Sequence, residues 1–387
     1  MNWRGVVAAW VMVAVVPVAG AAGNGDAEVL PPLAVNSAMT DIGAIMSQLV
    51  DDKVQRSPKA LAQQLDKLEE RFRGMGAHVE ERGPAFRITW QTMLEQIALT
   101  RQAVAGGNAP ADTVNNLVHG IESTCSGCHL QDDRARTLSF GKLSTGGDLL
   151  TQARFAFITR DYAAALQLSD AWLDAQPRLV YTGQSLEALE AQLTLFAQVW
   201  RDAERGAGHF RARLARSGGS MSPQVKRDLE DWVAGLDAIR KENLIAFTPT
   251  FMQLESYAKT RLLPHAEAPL AISEQDKVAY LWLRGLMHEY VQAHPSDPHM
   301  PELLYWLALT ERVLDYNVYY SLAELYLREC VVRFPATDAA QACLTEYERY
   351  IEASYSGSAG VYIPPSVEED LARLKDLVEA ARKAGKD

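Results

Sequence analysis

Between Pro31 and about Arg134, apolar residues recur at alternating four- and three-residue steps in four runs, and a turn carrying proline separates each run from the next. Nothing else in the chain constrains its fold as tightly, because this period places one apolar stripe on an α-helix and is incompatible with a strand. The breaks are Arg56-Ser57-Pro58, Arg82-Gly83-Pro84 and Gly106-Gly107-Asn108-Ala109-Pro110. Each proline falls at or near the first turn of a helix, where its missing N–H costs nothing. The stripes are Val35, Met39, Ile42, Met46, Leu49; then Leu61, Leu65, Leu68, Phe72, Met75; then Phe86, Trp90, Met93, Leu94, Ile97; then Val114, Leu117, Val118, Ile121. Short connections make neighbouring helices antiparallel, so residues 23–136 are expected to form an up-down-up-down four-helix bundle.

A soft stretch, residues 137–147, is the expected linker, and from residue 148 to 387 the pattern is helical again. Leu149 to Gln176 resembles a tetratricopeptide helix pair, with Ala153 and Ala165 where the helices would approach and Pro177 where the repeat closes. Two similar turns, His294-Pro295-Ser296-Asp297 and Phe334-Pro335-Ala336-Thr337-Asp338, stand 40 residues apart. The expected fold class is therefore all-α, a four-helix bundle followed by a tetratricopeptide-like helical-repeat array that closes its own core. Ser366-Val367-Glu368-Glu369 reads as a capping box for a last helix ending near Ala381, preceded by a linker loop over Ser356 to Gly360.

Met1 to Arg4 is a short positive segment before the apolar run Gly5–Ala19 and the small residues Gly20-Ala21-Ala22, the pattern of a cleaved export signal over residues 1–22. The expected location is the periplasm, with no membrane-spanning helix after cleavage. Apolar residues make up 48% of the 387 and charged residues 22%, which excludes a disordered chain. A net charge of −11 argues against nucleic acid as a partner.

Cys125-Ser126-Gly127-Cys128-His129 ends the fourth run as C-x-x-C-H, the attachment sequence of c-type haem. On a helical turn, positions i, i+3 and i+4 share a face, so two thioether bonds and one imidazole–iron bond can meet a single porphyrin. A redox C-x-x-C pair would open a helix after a strand, and a four-cysteine zinc site would need a second C-x-x-C. The expectation is one haem c per chain, with Cys125 and Cys128 as the covalent anchors and His129 as proximal ligand. At that end of a bundle stand Met39, Met75, His78, Phe86 and Trp90. Met39 is the expected sixth ligand, with Met46 two turns, roughly 10 Å, deeper. An open iron, His78 and Met46 are the alternatives. Phe86 and Trp90 are expected as pocket walls, and His119 as a surface or core residue.

On these residues, Leu33 to Arg134 resembles the cytochrome c-prime family: a four-helix bundle with haem at C-x-x-C-H near the end of the last helix and a distal residue early in the first, matched here by Met39. The resemblance implies either a five-coordinate haem that binds NO or CO or a six-coordinate haem that passes electrons. Two positions depart from the family pattern. The basic residue after the haem histidine is Arg134, five positions on rather than four, and Val35 stands where an arginine often precedes the distal residue.

Cys330 and Cys343 flank the Phe334-Pro335-Ala336 turn almost symmetrically, a disulfide candidate across a helix pair, with buried thiols as the alternative. His209, His265, His288, His294 and His299 show no ligand spacing, and no nucleophile–base set, phosphate loop or metal-hydrolase signature occurs. The expected function is accordingly a periplasmic electron carrier and not an enzyme, whose array docks a redox protein. Both regions are acidic, which favours a basic partner. A gas-binding haem protein and a scaffold with an accessory haem are the rival functions.

Overall fold

The computed structural model describes residues 35–50, 57–79, 84–106, 110–130, 147–242, 249–265, 272–314, 321–357 and 360–384. The expected export signal and all of the expected linker except Gly147 lie outside them. The described residues form fifteen α-helices and one two-stranded hairpin, so the chain is all-α. Among the described residues no helix is long and apolar enough to cross a membrane.

The four apolar stripes become α1 (Val35–Leu49), α2 (Pro58–Gly74), α3 (Pro84–Ala105) and α4 (Ala111–Leu130). Ser57 caps α2, its side chain accepting from the Ala60 N–H at 3.2 Å, with Pro58 in the first turn. Asp41 near the start of α1 pairs with Arg71 near the end of α2 at 3.0 Å, and Gln64 of α2 donates to Gln48 at the far end of α1 at 2.7 Å, so the two run antiparallel. Between α2 and α3 the same sense follows from Trp90, whose indole N–H donates to the Phe72 carbonyl at 2.7 Å. Leu65, Leu68, Met75, Ile97 and Ile121 are fully buried in the core the four helices share.

Eleven helices follow: α5 (Leu149–Ile158), α6 (Tyr162–Asp174), α7 (Gly183–Thr194), α8 (Ala203–Ser217), α9 (Pro223–Lys241), α10 (Phe251–Tyr257), α11 (Glu274–Ala293), α12 (Met300–Leu314), α13 (Ala323–Arg333), α14 (Asp338–Ser354) and α15 (Pro365–Ala384). α5 packs on α6, α8 on α9, α9 on α11, α11 on α12, α12 on α13 and α13 on α14, mostly neighbour on neighbour. Ala153 and Ala165 are buried as expected for small residues at a close helix approach. Cys330 of α13 and Cys343 of α14 are disulfide-bonded with Cα atoms 6.4 Å apart, within disulfide reach because both lie close to the turn where the helices converge.

Three expectations are corrected. The last helix starts at Pro365 and not after a Ser366 cap, because the Pro364 carbonyl already accepts from Val367 and Glu368 and Pro365 suits a first helical turn. Part of the expected linker loop is a tight hairpin, β1 (Ser356–Gly357) antiparallel to β2 (Gly360–Val361). Finally, the second region does not close its core alone. Phe155 and Ile158 of α5 belong to the core of α1–α4, Ile88 of α3 belongs to the core of the later helices, and Arg87 of α3 pairs with Glu329 of α13.

Candidate cofactor site

The inward face of α4 carries Val118, Ile121 and Cys125 into the first core. Thr124 and Ser126 donate back to the Gly120 and Glu122 carbonyls at 2.9 and 3.3 Å, and the helix stays intact to Leu130. Cys125, Cys128 and His129 therefore lie on one turn. Neither cysteine is in a disulfide, so this C-x-x-C is not bridged on itself.

These three residues line a cavity with Met39, Ile42 and Met46 of α1 and Phe72 of α2. Phe86, Thr89, Trp90 and Met93 of α3 form a further wall. Trp90 is held in place by its bond to the Phe72 carbonyl, and its ring lies over Gly76 at van der Waals distance. All six residues read from the sequence as haem-site candidates, Met39, Phe86, Trp90, Cys125, Cys128 and His129, thus face one apolar space. Met46 faces it too, and is 1% exposed whereas Met39 is partly exposed. Met75 is packed in the core and His78 sits in a short 3-10 turn; neither is among the lining residues. His119 points the other way, half-exposed and 2.7 Å from Glu122.

The proximal side is closed by residues that the periodicity did not single out. Ile158 and Thr159, at the end of α5, line the cavity, and the imidazole Nδ1–H of His129 donates to the Ile158 carbonyl. With Nδ1 engaged, Nε2 is the nitrogen left for a metal, the arrangement by which a second-shell acceptor fixes a ligand's tautomer. Burial, and then the positive charge of Arg160, push the His129 pKa down to about 3, the Ile158 bond opposing them. The imidazole is neutral and competent to ligate at any ordinary pH. Burial pushes the Cys125 thiol up, Cys128 and Glu122 adding to it, which is the reverse of an activated redox thiolate.

Arg160 itself is 7% exposed, and its Nε and Nη1 have no hydrogen-bond partner among the described residues. Among the described residues no group of three or more His, Cys, Asp or Glu could hold a bare ion. A haem fits this donor set in a way a bare ion does not: it brings four nitrogens of its own, asks for one neutral imidazole and two thiols on the same helical turn, and fills an apolar cavity.

No protein-family model, curated protein or solved structure matches this chain. The functional reading therefore rests on the residues alone.

Proposed function

We propose that this chain is an exported monohaem c-type cytochrome whose first four helices form the haem-bearing bundle and which transfers electrons. One observation carries the reading: Cys125, Cys128 and His129 occupy a single turn facing an apolar cavity lined by methionine and aromatic side chains. When bound, the haem supplies a one-electron couple. The chain's own residues would do the rest. Cys125 and Cys128 would anchor the macrocycle, His129, its orientation set by Ile158, would hold the iron, and Met39 would supply a thioether ligand, with Met46 as the competitor. Trp90, Phe86 and Phe72 exclude water, which keeps the dielectric low and limits reorganisation on electron transfer. The Cys330–Cys343 disulfide supports an oxidising compartment such as the periplasm. In this reading the repeat-like helices from α5 onward dock a redox protein, and the net negative charge favours one with a basic face.

The test is extraction. Haem colour is expected to stay with the denatured polypeptide through acid–organic extraction and to vanish in Cys125→Ala/Cys128→Ala, whereas haem extractable from the wild type overturns covalent attachment. Met39→Ala is expected to convert a low-spin spectrum with a sulfur-to-iron band into a high-spin, CO-binding one. A wild type that is already high-spin selects the gas-binding function.

A further inference from the structure

The turn between α5 and α6 has the geometry of a Schellman motif: the Asp161 N–H donates to the Ala156 carbonyl at 2.8 Å and the Arg160 N–H to the Phe157 carbonyl at 3.1 Å. The residue just past the helix cap must be left-handed, and glycine is the usual occupant. Here it is Arg160, with φ at 63°. A non-glycine residue in that region costs roughly 1 kcal/mol or more. The strain is accepted by a side chain that is more than nine-tenths buried and whose Nε and Nη1 meet no acceptor among the described residues. Two buried guanidinium N–H groups without an acceptor are costly for a fold to hold, so the site suits an anion.

The two residues before it, Ile158 and Thr159, line the cofactor cavity, and its charge reaches His129. We propose that Arg160 is a positioning residue that takes a carboxylate of the haem, making the α5–α6 turn part of the haem site. The inference rests on the haem reading. A propionate is the anion that arrives with the cofactor, and guanidinium–carboxylate pairing satisfies both N–H groups at once. Arg160 brings this charge from the end of α5, whose Phe155 and Ile158 are packed into the first core.

The experiment uses the full-length haem-loaded protein with Arg160→Gly and Arg160→Lys, read by resonance Raman and by redox titration. Gly suits the left-handed turn, so the fold is expected to survive with equal or higher stability. Loss of a positive charge near the iron favours the ferric state, so at a fixed poise Arg160→Gly is expected to lower the reduced-to-oxidised ratio about tenfold, 59 mV for a one-electron couple. The propionate bending mode is expected to shift in the same variant and to be largely restored in Arg160→Lys. An unmoved propionate mode in Arg160→Gly overturns the proposal whether or not the potential falls, since a fall alone is the field of a distant charge. A wild type without covalent haem instead overturns the haem reading beneath it, and the two failures are distinguished by the extraction test on the wild type.

Discussion

The helices up to Leu130 and those from Leu149 onward bury charge in opposite ways. In the first core the buried carboxylates are Glu69 and Glu122, both paired outward, to Arg73 and Arg101 and to His119 respectively. The later helices hold charges deep inside: Arg284 pairs with Glu311 at 3.4 Å with both side chains at most 3% exposed, fully buried Arg213 reaches Asp170 and Asp174, and Lys277 bridges Glu190 and Glu274. The two designs answer different needs. A buried ion pair gains little net stability but penalises every packing that separates it, which suits a core shared by many apolar helix faces. A cavity kept apolar and lined by flexible methionines suits a group that is not protein.

The largest expected effect tests that contrast at its centre. Glu311→Leu leaves Arg284 charged and buried beside Gln198, whose side-chain carbonyl accepts from it at 2.9 Å, and is expected to lower stability by about 3–5 kcal/mol in denaturant titration. A loss near zero would erase the difference between the regions. Next come core truncations compared across regions. Leu236→Ala, at a fully buried position of α9, is expected to cost about 4–5 kcal/mol, and Met46→Ala about 2 kcal/mol, because Met39 and Met93 can relax into the space. Equal costs would mean that the first core is as tightly filled as the second.

Opening the crosslink with Cys330→Ala/Cys343→Ala is expected to cost about 2–4 kcal/mol, and adding reductant to the wild type should reproduce the loss, while the spectrum of the proposed haem stays unchanged. A spectral change would show the regions to be coupled through α13. The smallest effect concerns Asp228, whose pKa burial and then the charge of Glu274 push up to about 6. A folded-state pKa raised above the unfolded value means that the native state binds the proton more tightly, so this group's contribution is most favourable below about pH 4 and is lost as pH rises through 6. Asp228→Asn is thus expected to be more stable than wild type at pH 7, by on the order of 1 kcal/mol after solvent screening, and indistinguishable from it at pH 4. A gain that does not vary with pH would locate the effect in something other than ionisation.

The helix starts at Pro58 and Pro84, the antiparallel pairing of the first helices and the common direction of Met39, Phe86, Trp90, Cys125, Cys128 and His129 were all legible from spacing. So was the pairing of Cys330 with Cys343, from their symmetry about Pro335. These features are local. A 3.6-residue period, a proline without an N–H and a three-residue cysteine spacing act within one or two turns, and no distant contact is needed to read them.

Ile158, Thr159 and Arg160 were not legible, although they complete the proximal side of the site, and neither was the pairing of Arg87 with Glu329, 242 residues away. Periodicity states which face of a helix is apolar but not which element covers it, and α5 divides its apolar residues among three cores, Phe155 and Ile158 to one, Leu150 to another, and Ala156 and Phe157 to a third shared with Leu130. Nothing in the order of residues marks the glycine position of the α5–α6 turn as holding a buried arginine, because the turn's two backbone hydrogen bonds are local while the burial of the side chain is set by packing against other elements. The cysteine–histidine chemistry is thus carried by one helical turn, whereas the imidazole's acceptor and the buried charge beside it come from packing between segments about 30 residues apart, where the energies that decide are those of burial and unpaired polar groups.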